Sequence, residues 1–264
     1  MYDAFPDLPA IYDRVPIYAN RHDVQFYVDE SRNAAGSVLE VGCGTGRILL
    51  PIARSGKIID GLDASPQMIE RCRTKLEAED EAVRARVSLH QADARAFDLG
   101  RQFNLVIAPF RVVQHLTTIE DQLGFLDSIA RHLAPGGRLV FDVFNPNFAA
   151  IVAADGTERE DTPVTRLPDG RSFRRAARVS RVRWVDQVSE IELIYYISSK
   201  SGEKKERRVM SFDMRWFLRA ELVHLLARGG FTVRTIYGDF DRSPLTDSSP
   251  EQVVCAERVT MRAP

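Results

Sequence analysis

No stretch of the sequence approaches the roughly 18 consecutive apolar residues that a membrane-spanning helix needs. The opening run MYDAFPDLPA has neither a basic start nor an apolar core, so no secretion signal is expected. Cysteine is scarce. Cys43, Cys72 and Cys255 are far apart, odd in number and include no CxxC pair, which points to free thiols in a reducing compartment rather than a disulfide frame or a zinc site. No two histidines fall at metal-ligand spacing and there is no HExxH, so no metal is expected. An excess of one charge is also missing. Thirty-six basic residues face 37 acidic ones, a formal charge of −1. That balance excludes a generally basic nucleic-acid coat and an acidic, self-repelling disordered chain. Internal repeats and low-complexity segments are absent as well. What is present is ordinary globular material: 264 residues, 44% hydrophobic and 28% charged. One enlarged, cytoplasmic domain is expected, touching neither membrane nor nucleic acid.

From about Ser37 to Asn145, short apolar runs alternate with longer helical patterns. Ser37–Val41 predicts a strand running into glycines, and Arg47–Arg54 has helical spacing. Lys57–Leu62 predicts a second strand. Ser65-Pro66 then marks a helix start, an N-cap followed by proline at the first helical position. Val87–Leu89 and Phe103–Ala108 predict a third and a fourth strand. Thr118-Ile-Glu-Asp121 has the form of a capping box, Ala134-Pro-Gly-Gly137 ends that helix, and Arg138–Phe144 predicts a fifth strand. Near-continuous apolar strands separated by helices indicate a doubly wound α/β core around a parallel sheet.

After Asn145 the pattern changes. Residues 171–185, 189–200 and 204–214 alternate with period two, predicting an antiparallel meander of three strands. Arg215–Arg228 returns to an amphipathic helix, followed by strands at Phe231–Tyr237 and Val253–Thr260. The expected organisation is a single domain with an amino-terminal helical cap (1–35). An α/β core (36–148 and 215–264) follows, with a β-rich insertion over 149–214 acting as a lid.

The strongest chemical signal is Glu40-Val-Gly42-Cys43-Gly44-Thr-Gly46 at the first strand-to-helix turn. Glycines there let the backbone take positive φ and let a ligand approach, at the sheet edge where such folds bind ligands. Asp63 follows the second strand, where a carboxylate can accept both hydroxyls of a ribose. Asp93 follows the third, beside where an adenine would sit. Together they outline an adenosine pocket. A dinucleotide fingerprint, G-x-G-x-x-G, would place its third glycine where this chain has Arg47, which argues against a nicotinamide dehydrogenase.

With VLEVGCGTGR, GLDASPQMI, QADAR, FNLVIAPF and LAPGGRLVFDV in that order, the chain resembles the class I S-adenosylmethionine-dependent methyltransferases of small-molecule type, over about 36–148 and again 215–261. The resemblance implies a Rossmann-like seven-stranded sheet whose last strand is antiparallel, with S-adenosyl-L-methionine as cofactor. It implies that Glu40, Gly42, Cys43, Gly44 and Gly46 shape the methionyl site. Asp63 would hold the ribose, and Ala64 and Met68 would flank the adenine. Asp93 would accept from the adenine amino group, with Ala94 beside it. Pro109 and Phe110 would border the reactive sulfonium. In the cap, Tyr12 and Tyr18 are candidates to reach the cofactor's carboxylate.

A sulfonium methyl is already activated, so in-line transfer to nitrogen or oxygen needs no protein nucleophile. A base is needed only for an acceptor that arrives protonated, and His115, in Arg111-Val-Val-Gln-His115, is the histidine best placed to serve. The arginines of the insertion face either an anionic substrate or solvent, the latter with Glu190, Glu192 and Glu206 opposite. The main expectation is methylation of a small-molecule acceptor by a monomer or homodimer, in the manner of bacterial amino-sugar methyltransferases. The alternatives are a regulatory or scaffold module that binds the cofactor without transfer, and an enzyme acting on nucleic acid or protein. Ala108-Pro-Phe-Arg111 lacks the Pro-Pro-aromatic run usual in base-amino methyltransferases.

Overall fold

The computed structural model describes residues 4–202 and 204–259. In chain order its elements are α1 (Leu8–Tyr12), α2 (Pro16–Ala19), α3 (Asp23–Arg32), β1 (Val38–Val41), α4 (Leu49–Arg54), β2 (Ile59–Asp63), α5 (Pro66–Glu77), α6 (Glu81–Arg84), β3 (Val87–Gln91) and β4 (Phe103–Ala108). A 3-10 turn at Val112–His115 leads to α7 (Ile119–His132), β5 (Leu133–Phe144) and α8 (Phe148–Val152). The antiparallel strands β6 (Arg159–Arg166), β7 (Ser172–Arg183), β8 (Val188–Ser198) and β9 (Lys205–Arg215) come next, then α9 (Arg219–Arg228), β10 (Phe231–Tyr237) and β11 (Glu251–Arg258).

Two compact units result: 22–146 with the segment from 216 onward, and the first 21 residues with 147–215. The stretch expected as one amino-terminal cap, 1–35, is therefore divided. Helix α3 belongs to the larger unit, where Phe26, Tyr27 and Val28 join the core.

The larger unit is a seven-stranded sheet in the order β3-β2-β1-β4-β5-β11-β10. Strands β1 to β5 run parallel, and β11 is antiparallel to both neighbours. All of β1 and β2 is buried, as expected for strands with helices on both faces. The predicted helix starts form as read. Ser65 Oγ accepts from the Met68 N–H ahead of α5, and Thr118 Oγ1 accepts from the Asp121 N–H ahead of α7. From β1 the chain crosses over to β2 and then β3 on one side, and from β3 it returns to β4 on the other side of β1. The order therefore reverses between β1 and β4, the switch point at whose carboxyl ends folds of this kind bind ligands.

The smaller unit is a four-stranded antiparallel sheet, β6-β7-β8-β9, one face of which packs on the amino-terminal helices. Phe5, Leu8, Ile11 and Val15 meet Phe173, Leu193, Tyr195 and Met210 in its core. The meander thus has one strand more than expected. In β6, Pro163 and the scarcity of buried positions hide the alternation that marks a strand.

Candidate active site

The turn after β1 is held by backbone bonds: the Gly42 and Cys43 N–H groups both donate to Leu62 O of β2, at 2.8 and 3.0 Å. Gly42, Gly44 and Gly46 all have positive φ, but their surroundings differ. A Cβ on Gly42 would fall 2.4 Å from Val112 Cγ2, and one on Gly46 would fall 2.8 Å from Cys72 Sγ. Those two glycines admit close packing by the segment after β4 and by α5. Gly44 has no atom within 4 Å of the same point. It is the glycine that opens on space, where a ligand can lie against backbone. Cys43 turns its thiol into the core and contributes only backbone to the turn. Its hydrogen bond with Cys72 and its burial raise the thiol well above its usual range.

Asp63 ties the turn to the start of α5. Its Oδ2 accepts from the Gly44 N–H and its Oδ1 from the Ser65 N–H, each at 2.9 Å. Glu40, on β1, is buried, and its Oε2 has no hydrogen-bond partner. Burial, followed by the neighbouring Cys72, pushes this carboxyl well above the ordinary range, against the pull of Arg47. Leaving such an acceptor unpaired costs about 1–3 kcal/mol, which a donor brought by a ligand would recover. Gln67 Oε1, in the first turn of α5, is a second buried oxygen without a partner.

The structure brings Glu40, the glycine turn and Asp63 together at one sheet edge. The flanking residues divide. Ala64 is exposed beyond β2, and Met68 is buried on α5. Asp93 and Ala94 follow β3, and the Asp93 carboxylate is held by Arg95. The Arg95 Nε donates to both oxygens at 2.9 and 3.0 Å, and the backbone N–H donates to Oδ1 at 2.9 Å. The Arg95 side chain keeps this carboxyl below its usual value.

The segment after β4 is the most constrained part of the site. Pro109 is buried, and Phe110 and Arg111 are consecutive left-handed residues with φ of 59° and 70°. Neither is glycine, so each costs on the order of 1–3 kcal/mol unless its surroundings hold it. The Phe110 N–H donates to Asp142 Oδ1 at 2.8 Å, and the same oxygen accepts the Tyr27 hydroxyl at 2.5 Å. Both Asp142 and Tyr27 are fully buried. The Phe110 ring lies under the Arg47 guanidinium, 5.2 Å from its centroid, and Arg47 forms a bidentate pair with buried Asp23. His115 ends the 3-10 turn, partly buried, five residues beyond Phe110.

Of these anchors, Asp23, Tyr27 and Asp142 escaped the sequence reading. Asp142 did leave a trace: a lone carboxylate inside RLVFDVF has to find partners, because a buried charge without them is prohibitively costly.

Tyr12 and Tyr18 belong to the smaller unit. Their rings are 4.7 Å apart, and the Tyr18 hydroxyl accepts from Arg175 Nη1 at 2.5 Å. Arg175 is 1% exposed, and its fork is closed on Asp161 by two bonds of 2.9 and 3.0 Å. Its neighbours on the sheet are paired at the surface: Arg178 with Glu192, Arg183 with Glu190 and Asp213, Arg208 with Glu206. Among the described residues no helix is long and apolar enough to cross a membrane, and no metal-binding cluster is present.

A methyltransferase-domain family model matches residues 38–137, from β1 to the turn before the main part of β5. The chain is 34% identical, over 152 residues, to the dTDP-3-amino-3,4,6-trideoxy-alpha-D-glucopyranose N,N-dimethyltransferase of Streptomyces venezuelae. That match covers 56% of this chain, and the chain spans only 61% of the relative's length. Among solved structures it is similar to S-adenosylmethionine-bound CalS10, an amino pentose methyltransferase from Micromonospora echinaspora. Identity there is 26% and the TM-score 0.65, with 90% of this chain and 89% of that chain covered. The CcbJ methyltransferase from Streptomyces caelestis shares the fold, with 23% identity, a TM-score of 0.74 and 95% of each chain covered.

Proposed function

We propose that this chain, whose residues 38–137 match the methyltransferase-domain family model, transfers a methyl group from S-adenosyl-L-methionine to a nitrogen or oxygen of a small-molecule acceptor, as a class I methyltransferase. An amino sugar is the acceptor class that the relatives' names favour. The observation that carries the reading is the sheet edge itself. An open glycine turn lies beside Asp63 and a buried, unpartnered Glu40 oxygen.

These residues fit the cofactor. Asp63 would take the ribose hydroxyls, and the Gly44 backbone would lie along the methionyl part. Glu40 would accept from the ammonium group, whose charge suits a carboxylate short of donors. Ala64 and Met68 would flank the adenine, with Asp93 and Ala94 at its edge. Asp93 would accept the adenine amino group while keeping Arg95. When bound, the cofactor supplies a methyl group activated by its sulfonium, so the chain needs no nucleophile of its own. The work of the protein is then to orient and to exclude water. Pro109 and Phe110 form the wall on the acceptor side. His115 would take the proton from an acceptor that arrives as an ammonium or phenol. A cytoplasmic monomer or homodimer acting on free metabolites is consistent with the balanced charge.

The test starts with calorimetry against S-adenosyl-L-methionine and, as a control, NAD. Micromolar binding of the first and none of the second is expected; NAD binding alone overturns the reading. Mass spectrometry after incubation with nucleotide-linked amino sugars then looks for a gain of one or two methyl groups. Binding without transfer to any amine or hydroxyl acceptor would favour a regulatory module.

A further inference from the structure

Helix α3 supplies both anchors of the strained segment after β4. Asp23 and Tyr27 are four residues apart and so lie on one face of the helix, one turn from each other. Asp23 grips Arg47, which stands over the Phe110 ring. Tyr27 donates to Asp142, whose same oxygen accepts the Phe110 backbone N–H. One helical face therefore reaches one residue by two routes, through the side chain and through the backbone. All five residues belong to the larger unit.

We infer that α3 is a bracket that holds Phe110 in its left-handed conformation, and that Asp23, Arg47, Tyr27 and Asp142 are positioning residues for the wall between cofactor and acceptor. The inference deepens the methyltransferase reading and rests on it for the role of the wall, though not for the bracket. The physical case is the coincidence of cost and support. Consecutive non-glycine residues at positive φ persist only where their surroundings over-determine them, and here a buried carboxylate, a buried hydroxyl and a paired guanidinium do so. The position matters because Val112, two residues on, packs where a Cβ on Gly42 would be. Relaxing Phe110 and Arg111 moves the piece of chain that covers the glycine turn. Arg47 gains a purpose by the same argument: its fork spans Asp23 while its flat face covers an aromatic ring, a combination that lysine does not reproduce.

The test has a ligand-free arm and a ligand arm. In the first, amide hydrogen exchange is followed in the whole chain for wild type, Tyr27→Phe and Arg47→Lys. Loss of one hydrogen bond is expected to speed exchange at Phe110 and Arg111 about fivefold in Tyr27→Phe, with β1 and β4 unchanged. Arg47→Lys should loosen the same two amides. Unchanged exchange there, or faster exchange across the whole unit, overturns the bracket. In the second arm, S-adenosyl-L-homocysteine is titrated into wild type, Tyr27→Phe, Phe110→Gly and the double variant. Tyr27→Phe should weaken binding about fivefold in the wild-type background. In the Phe110→Gly background, where glycine adopts positive φ unaided, the effect should fall below about twofold. Equal effects in both backgrounds would make Tyr27 a packing residue only and sink the positioning role. If wild type binds no S-adenosyl-L-homocysteine, the methyltransferase reading fails, and the exchange arm alone still decides the bracket.

Discussion

The two units solve the same packing problem with different materials. In the larger one, strands such as Val38–Val41 and Ile59–Asp63 disappear entirely between layers of helices. The charged groups that go in with them are met by specific partners: Asp60 pairs with Arg101, Glu30 with Arg138 and Arg242, Asp23 with Arg47, and Asp142 accepts the Tyr27 hydroxyl and the Phe110 amide. In the smaller one, an antiparallel sheet has one apolar face, and arginine–carboxylate pairs link its strands. Arg178 faces Glu192 across β7 and β8, and Arg181 faces Glu190. Burial is the difference that matters. A carboxylate inside the larger unit has to be satisfied by specific donors or carry a raised proton affinity, whereas a surface pair in the smaller one contributes little either way. Arg175 is the exception, a buried guanidinium among surface arginines, and it depends on Asp161 and Tyr18.

The contrast can be broken by mutation, and the two tryptophans give a reporter for each side: Trp184 in the smaller unit, Trp216 in the larger. The largest effect is expected from Leu39→Ala in β1, where a fully buried side chain leaves a cavity costing about 3–5 kcal/mol. It should be read as a lower urea midpoint of the Trp216 signal. Next comes Asp161→Ala, which strands the buried Arg175 charge at a cost of about 3 kcal/mol. The Trp184 signal should shift, and adding Arg175→Met should recover most of the loss. No recovery would mean that the guanidinium does more than fill space.

Asp63→Ala should weaken S-adenosyl-L-methionine binding by roughly 1.5–3 kcal/mol, the usual scale for charged hydrogen bonds, as measured by calorimetry. Because Asp63 also accepts the Gly44 and Ser65 amides, a modest fall in the unfolding midpoint should accompany it.

Glu40 gives a pH test. Its carboxyl is raised in the folded protein, so the neutral form is favoured there and the charged form is penalised. The stability associated with it is complete below the ordinary carboxylate value and is lost as pH rises through the raised one. Glu40→Gln, without ligand, should therefore become progressively more stable than wild type as pH increases over that window, and a parallel pair of stability curves would contradict it. The smallest effect belongs to the surface. Arg178→Ala should cost about 0.2–1 kcal/mol, despite its bond of 2.7 Å to Glu192, because both partners remain in contact with water.

Much of the larger unit is legible in the amino-acid sequence. Its strands are short apolar runs, and the starts of α5 and α7 are written in Ser65-Pro66 and Thr118 to Asp121, because capping is a local transaction between a side chain and the next turn. The glycine turn and Asp63 are legible for the same reason. Strand β6 is not, since Pro163 and its exposed residues carry no period-two signal. Nor is the division of the first 35 residues between two units, because α3 has a weak apolar stripe and is claimed by what it packs against.

What the sequence determined alone is the succession of strands in the larger unit and the glycine turn beside Asp63 at one sheet edge, since backbone conformation and motif spacing depend on neighbours a few positions away. Which arginine of the run is buried, and which oxygen holds the Phe110 amide, only the tertiary structure decided. Tyr27 and Asp142 stand 115 positions apart. Burial and partnership at that range are products of the folded packing, and no local pattern carries them.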